Sequence, residues 1–204
     1  MAENKETITA LIPWVWKHRE LAAEAELSIK DQVDEVISRW DSEKIGQARM
    51  LNNMIEEVKT DWVLFQDADD RSYRWRVEEC RPYMNKGDLL YTDYEYKDGF
   101  YFAGEFSLER LMKYNFIPFP TVMVRTHIAK EIPFPYLKMG GQDRVWHHMV
   151  YKKYKRFVYV PQVTIWYNTN TSSYRSRIPV YRKVKRLIKK YYVNRRINAL
   201  YKTD

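Results

Sequence analysis

Residues 61–70 read DWVLFQDADD, from Asp61 to Asp70. Trp62-Val63-Leu64-Phe65-Gln66 is a continuous apolar run closed by one amide, the pattern of a strand covered on both faces. Three carboxylates follow it within four residues: Asp67, Asp69 and Asp70. The chain upstream leads into this strand through two β-α units. Thr7–Ile12 is a short apolar run stopped by Pro13 and reads as a buried strand. His18–Ile29 sets Leu21, Ala22, Ala25, Leu27 and Ile29 among glutamates and reads as a helix, and Val33–Trp40 reads as a second strand. Lys44–Lys59 carries Ile45, Ala48, Leu51, Ile55 and Val58 near a 3.6-residue period, an amphipathic helix. The order β-α-β-α-β predicts an α/β fold with a doubly wound, mixed but mainly parallel sheet and helices on both faces. Ligands of such sheets bind beyond the carboxyl ends of the strands, where residues 67–70 fall.

Downstream, strands are expected at Asp88–Tyr96, Thr121–Val124, Phe157–Val160 and Val163–Tyr167, the last two separated by Pro161. Helices are expected at Ser107–Tyr114 and Asp143–Tyr154, and Asn168–Ser173 reads as a polar loop. Residues 1–173 thus form one α/β domain, and 174–204 a basic helical extension.

Three neighbouring carboxylates repel one another, and a divalent cation is the usual offset. Oxygen ligands of this kind suit Mn²⁺ or Mg²⁺. The competing reading is a solvated acidic turn, with Asp70 capping the next helix.

Composition narrows the function. Of 204 residues 16% are aromatic, which suits both a core and a site that holds rings. Cys80, the single cysteine, excludes an intrachain disulfide and a Cys-based metal cluster, and it reads as an inert packed thiol. Met1–Glu6 is too polar for a signal peptide, and no apolar run approaches the ~18 residues of a membrane span, so a cytoplasmic protein is expected.

The net charge of +8 is unevenly distributed. Residues 174–204 hold eleven Lys/Arg against one acid, a formal +10, and the rest of the chain carries −2. The cations include Arg175, Arg177, Arg182, Lys183, Lys185, Arg186, Lys189, Lys190, Arg195 and Arg196. Tyr181, Val184, Leu187, Ile188, Tyr191 and Tyr192 form an apolar stripe among them. Such a segment can dock its stripe on the domain, lie on an anionic membrane, or bind nucleic-acid phosphates. Its wealth of Tyr and Arg and poverty in Leu, Phe and Trp favour nucleic acid.

Several stretches resemble the GT-A fold of glycosyltransferase family 2, over about Thr7 to Ser173. TITALIP (7–13) stands where that family has its opening strand and Pro13, and IGQARMLNNMI (45–55) resembles its Gly…Ala-Arg-Asn helix. Asn52 precedes Asp67 by fifteen residues, DWVLFQDADD resembles the family's metal motif, and GGQDRVW (140–146) resembles its later acidic motif. The resemblance implies donor contacts from Pro13, Asp41, Asn52, Asp67, Ala68 and Asp69. It implies a metal on Asp69 and Asp67, a general base at Asp143, and inverting transfer from a UDP-sugar. Asp143 also suits a helix N-cap.

Three departures from the family stand out. Ser38-Arg39-Trp40-Asp41-Ser42 replaces a paired-acid motif, leaving only Asp41 as a base contact. Gln142 replaces a Glu, and Tyr167-Asn168-Thr169-Asn170 lacks the usual Arg and His. His147 and His148, being adjacent, must face different ways on their helix.

By analogy, so compact a member suits a bacteriophage enzyme that glycosylates hydroxymethylated DNA bases. A peripheral-membrane enzyme acting on a lipid-linked or polysaccharide acceptor is the alternative. So is a non-catalytic nucleotide- or nucleic-acid-binding module, although such a module has no need of acids at 67, 69 and 143 together. A nucleotidyltransferase would need a glycine-rich phosphate cradle after the first strand, and Trp14-Val15-Trp16-Lys17 is not one.

Overall fold

The computed structural model describes residues 5–137, 140–169, 190 and 192–201. Its strands are β1 (Ile8–Trp14), β2 (Glu35–Trp40), β3 (Trp62–Phe65), β4 (Arg71–Ser72), β5 (Leu89–Tyr96), β6 (Gly99–Tyr101), β7 (Met123–Arg125) and β8 (Phe157–Tyr167). The helices are α1 (Arg19–Ile29), α2 (Gln47–Glu57), α3 (Arg76–Cys80), α4 (Leu108–Lys113), α5 (Thr126–Glu131) and α6 (Gln142–Tyr154). One sheet runs β2-β1-β3-β7-β5-β8-β4, with β6 paired to β5. β1, β2, β3, β5 and β8 point one way and β4, β6 and β7 the other, so the sheet is mixed and mainly parallel, as expected.

The fully buried strand β3 explains the layering. Its side chains alternate between faces with period two. Val63 and Phe65 enter a core shared with α2, α5 and α6, while Trp62 and Leu64 enter a second core shared with α1 and α3. Helices on both faces follow, because each face of β3 must be covered. Cys80 sits in the second core at 1% exposure, and burial pushes its thiol pKa up to about 12, the inert thiol expected.

Four local differences have physical causes. β1 continues through Pro13 instead of stopping before it. Leu11 is the last β1 residue paired with β3, and Trp14 O already accepts from Asp41 N on the β2 side. Pro13 therefore faces the side where β3 has ended, and its missing N–H costs no ladder bond.

β8 is one strand, not two. Thr92 pairs with Val160 and Asp93 with Val163, so the exposed Pro161 and Gln162 form a bulge. α2 starts at Gln47, three residues later than expected. The Asp41 carboxylate accepts from the N–H groups of Ile45 and Gly46 at 2.8 and 2.9 Å, and Lys44 and Gly46 take positive φ (55° and 86°) to close that turn. Finally β4, β6 and α5, which the sequence did not announce, add a two-residue edge, a hairpin and a six-residue helix, all too short to carry a readable period.

Residues 192–200 are helical and pack on α6. Val193 and Ile197 meet Val145, with Leu137, Met149, Leu200 and Tyr201 around them. Arg144 Nη1 donates to Asn194 Oδ1 at 3.0 Å, and Lys152 Nζ to Leu200 O at 2.6 Å. This part of the extension is docked, by residues other than the stripe read from the sequence. Lys190, Arg195 and Arg196 are exposed. Arg175, Arg177, Arg182, Lys183, Lys185, Arg186 and Lys189 lie outside the described residues. Among those described, no helix is long and apolar enough to cross a membrane.

Candidate active site

The chain leaves β3 into a tight turn, with Asp70 N donating to Asp67 O at 3.2 Å. Two buried side chains fix this turn from below. Gln66 Nε2 donates to Asp70 O (3.0 Å) and Asp67 O (3.2 Å), and Gln66 Oε1 accepts from Ser72 Oγ and Arg76 Nη1. Arg76, fully buried, also donates through Nη2 to Phe65 O and Pro120 O. Burial lowers its pKa to about 10, so the guanidinium stays charged at neutral pH beneath the acidic cluster. Ala68 is buried between the half-buried Asp67 and Asp69; Asp67 lines the neighbouring cleft and Asp69 stands outside its lining.

The carboxylates are electrostatically strained. Burial, then the charges of Asp69 and Asp143, raise the Asp67 pKa to about 7, against the opposing effects of the Gln47 amide on its Oδ1 (3.0 Å) and of Arg76. Asp70 is buried and lifted well above the usual carboxylate range, first by burial and then by Asp67. Its Oδ1 accepts from Asn168 N at 2.9 Å, and its buried Oδ2 has no hydrogen-bond partner among the described residues. Asp70 therefore caps no helix: β4 follows it, and the N-cap of α3 is Trp75.

A cleft of about 270 Å³ opens beside this loop. Asp67 and Asp143 both line it, with Asn115, Tyr94, Tyr101 and Tyr167. Asp143 is the second residue of α6, whose N-cap is Gly141 in the left-handed region, so Asp143 is not the cap. Asn115 Nδ2 donates to Asp143 Oδ2 at 2.7 Å. Burial first, then Asp70 and Asp67, push the Tyr167 phenol pKa up.

Among the described residues no three His, Cys, Asp or Glu side chains converge as a complete metal cage. The donor set fits a cation of another kind. Mg²⁺ and Mn²⁺ in nucleotide sites take one or two carboxylates and complete their shell with phosphate oxygens and water. Mutually repelling acids and the orphaned buried Asp70 Oδ2 are what a nearby positive charge would relieve.

No protein-family model matches the sequence, and no curated protein matches it. Solved structures do match. Glucosyl-3-phosphoglycerate synthase from Mycobacterium tuberculosis, in complex with Mn²⁺, UDP-glucose and phosphoglyceric acid, superposes with a TM-score of 0.64 at 13% identity, over 95% of this chain and 80% of that one. The fold is that of the GT-A glycosyltransferases. An S. aureus TarS fragment in complex with UDP-GlcNAc gives 0.62 at 15% identity, over 82% of this chain and 60% of that one. The mannosyltransferase PcManGT from Pyrobaculum calidifontis, with GDP-Man and Mn²⁺, gives 0.59 at 12%, over 83% and 59%. The chain thus spans about three fifths of the latter two.

Within this GT-A fold the other expected residues stand apart from the cleft lining. Pro13 is buried in β1, and both Asp41 oxygens are engaged by the turn before α2. Asn52 exchanges two hydrogen bonds with the backbone of Phe134, at 2.8 and 3.1 Å, tying α2 to the segment before α6. At the carboxyl ends of β1 and β2, Trp14 stacks on Trp40 (6.2 Å) and Trp16 tilts against Trp40 (5.2 Å). His147 and His148 are both fully buried and face different ways, His147 toward Asn115, His148 toward Leu111 O and the Tyr201 hydroxyl. Asn115 and Arg76 escaped the sequence reading because a lone Asn or Arg carries no motif, and Gln47, though inside the 45–55 stretch, acts through a contact 20 residues away.

Proposed function

We propose that this chain is a metal-dependent, inverting glycosyltransferase that moves a sugar from a nucleotide-sugar, a UDP-sugar first among them, to an acceptor hydroxyl. The observation that carries the reading is one cleft walled by Asp67 on the β3 side and Asp143 on the α6 side. Asp69 and Asp67 would hold Mn²⁺ or Mg²⁺, with Ala68 keeping the turn tight between them. The metal, when bound, neutralises charge on the departing diphosphate. Asp143 takes the proton from the acceptor O–H. The acceptor oxygen forms its bond to the anomeric carbon as the carbon–oxygen bond to the phosphate breaks. The electron pair leaves with the diphosphate, and attack from the opposite side inverts the centre. The rings of Tyr94, Tyr101 and Tyr167 give the cleft flat, partly apolar walls suited to a sugar.

The uridine preference is supported by the UDP-sugars bound in two of the structural neighbours, while the third holds GDP-Man. Family 2 membership rests on the motif run from residue 7 to residue 146. Thermal-shift measurement with UDP-, GDP- and ADP-sugars, each with and without Mn²⁺, tests the class and names the donor. A shift that needs both sugar nucleotide and metal is expected. No shift from any of them, with a shift from DNA alone, would support a non-catalytic module instead.

A second reading concerns the acceptor. The docked 192–200 helix leaves Arg195 and Arg196 outward, and the extension carries a formal +10. A DNA acceptor, with hydroxymethylated bases of the phage type, rests on that charge. A membrane-borne acceptor is the competing use of the same surface.

A further inference from the structure

Asn115 follows α4 on the irregular segment that lines the cleft, and it touches two α6 residues one helical turn apart. Its Nδ2 donates to Asp143 Oδ2 at 2.7 Å, and its Oδ1 lies 3.4 Å from His147 Nδ1. Asp143 and His147 stand at i and i+4, so one amide can span both.

The two ends of an amide have nearly the same shape, so its partners must decide its orientation. Two constraints decide it here. A carboxylate oxygen facing an amide accepts from its NH₂, and Nδ2 is the atom 2.7 Å from Asp143 Oδ2. His147 is fully buried, and burial together with His148 pushes its pKa down to about 3, so it is neutral and carries one N–H. Its buried Nε2 has no hydrogen-bond partner among the described residues. A proton on Nε2 would be a buried, unsatisfied donor, whereas a proton on Nδ1 points at Asn115 Oδ1. The tautomer and the amide orientation therefore fix each other. The result is a directed chain: His147 Nδ1–H to Asn115 Oδ1, and Asn115 Nδ2–H to Asp143 Oδ2.

We propose that Asn115 is a positioning residue for the Asp143 carboxylate, and that His147 braces Asn115 in the orientation that does so. The proposal rests on the transferase reading for what Asp143 does, but not for the chain of contacts itself. Asn115 shares the cleft lining with Asp67, but its described side-chain hydrogen bonds both run to α6, which puts its effect on the base. Its removal should slow proton removal without loosening the sugar nucleotide.

Two measurements on the full chain test this. The first is long-range ¹H–¹⁵N NMR of the imidazole nitrogens. His147 is expected as the Nδ1–H tautomer in the wild type, and Asn115→Leu should abolish that preference. An Nε2–H tautomer in the wild type would overturn the brace whatever the protein's activity. The second is steady-state hydrolysis of UDP-glucose with Mn²⁺, water serving as acceptor. Asn115→Ala and the similarly sized Asn115→Leu, which keeps the bulk but loses the donor, should each lower kcat about 10- to 100-fold and leave KM within about twofold. Wild-type kcat in Asn115→Leu, or a KM that rises as far as kcat falls, would overturn the positioning role. If the wild type neither binds nor hydrolyses UDP-glucose, that donor reading fails by itself, and the tautomer still decides the brace.

Discussion

His147 and His148 sit side by side on α6 with no exposure, and burial lowers their pKa values to about 3 and 4. Both are neutral in the fold, while an unfolded histidine takes up its proton near pH 6.5. The unfolded chain therefore binds more protons below that pH. Their contribution to stability is complete above about pH 6.5 and is lost as pH falls toward 4 and then 3. Asp67, whose pKa is raised to about 7, shifts stability the opposite way over the same range, so the histidine share is read as a difference between variants. On going from pH 7.5 to pH 5 in urea unfolding, wild type should lose about 1–2 kcal/mol more than His148→Gln, and an identical pH dependence in the two would refute the assignment. Asp67 and Asp143, which the cleft brings together, stand out in the sequence because carboxylates bear chemistry and both fall in recognisable motifs. Asn115 does not, since its meaning lies in a contact with a residue 28 positions away. Arg76 was hidden for the same reason: a buried guanidinium under an acidic loop looks, in sequence, like any arginine on a short helix.

Among the elements, those that face a core on both sides or one side were read well, because burial writes the periodicity that sequence analysis detects. β1, β3, α2 and α6 appear within a few residues of where they were expected. β4 and β6, two and three residues long, are too short to carry a period. β8 was split by Pro161, which a bulge accommodates. The β5–β8 pairing, the longest in the sheet, enters through Gly87. A Cβ there would lie 2.4 Å from Val158 Cγ2 and 2.9 Å from Arg156 O. Gly87→Ala should therefore cost about 1–3 kcal/mol by overpacking, measurable by urea unfolding. The 192–200 helix holds to α6 through a small apolar contact. Ile197 is 1% exposed against α6, and Ile197→Ala should destabilise by about 2–4 kcal/mol, or undock the helix and raise amide exchange there. A silent substitution would mean that the helix leaves α6 in solution.

At the scale of the whole molecule, charge and topology divide the labour. A mixed sheet with β7 set antiparallel between β3 and β5 gathers the β3 end, the 115–120 segment and the α6 start around one cleft. The local sequence foretold the parallel half of that sheet, while the antiparallel insertion depends on pairings that no local pattern encodes. The basic extension is a separate matter. Arg195→Glu with Arg196→Glu leaves the docked apolar face untouched, and it should weaken duplex DNA binding and reduce its salt slope by about 2. Binding to anionic vesicles, with none to DNA at low salt, would favour the membrane reading instead.

If the carboxylates after β3 hold a metal that in turn holds a sugar nucleotide, titration calorimetry of UDP-glucose into wild type and Asp69→Asn, with and without Mn²⁺, will separate the two proteins. Wild type should bind only with Mn²⁺, and Asp69→Asn should lose that binding while keeping its melting temperature. Equal, metal-dependent binding by Asp69→Asn would rule out a metal on this loop.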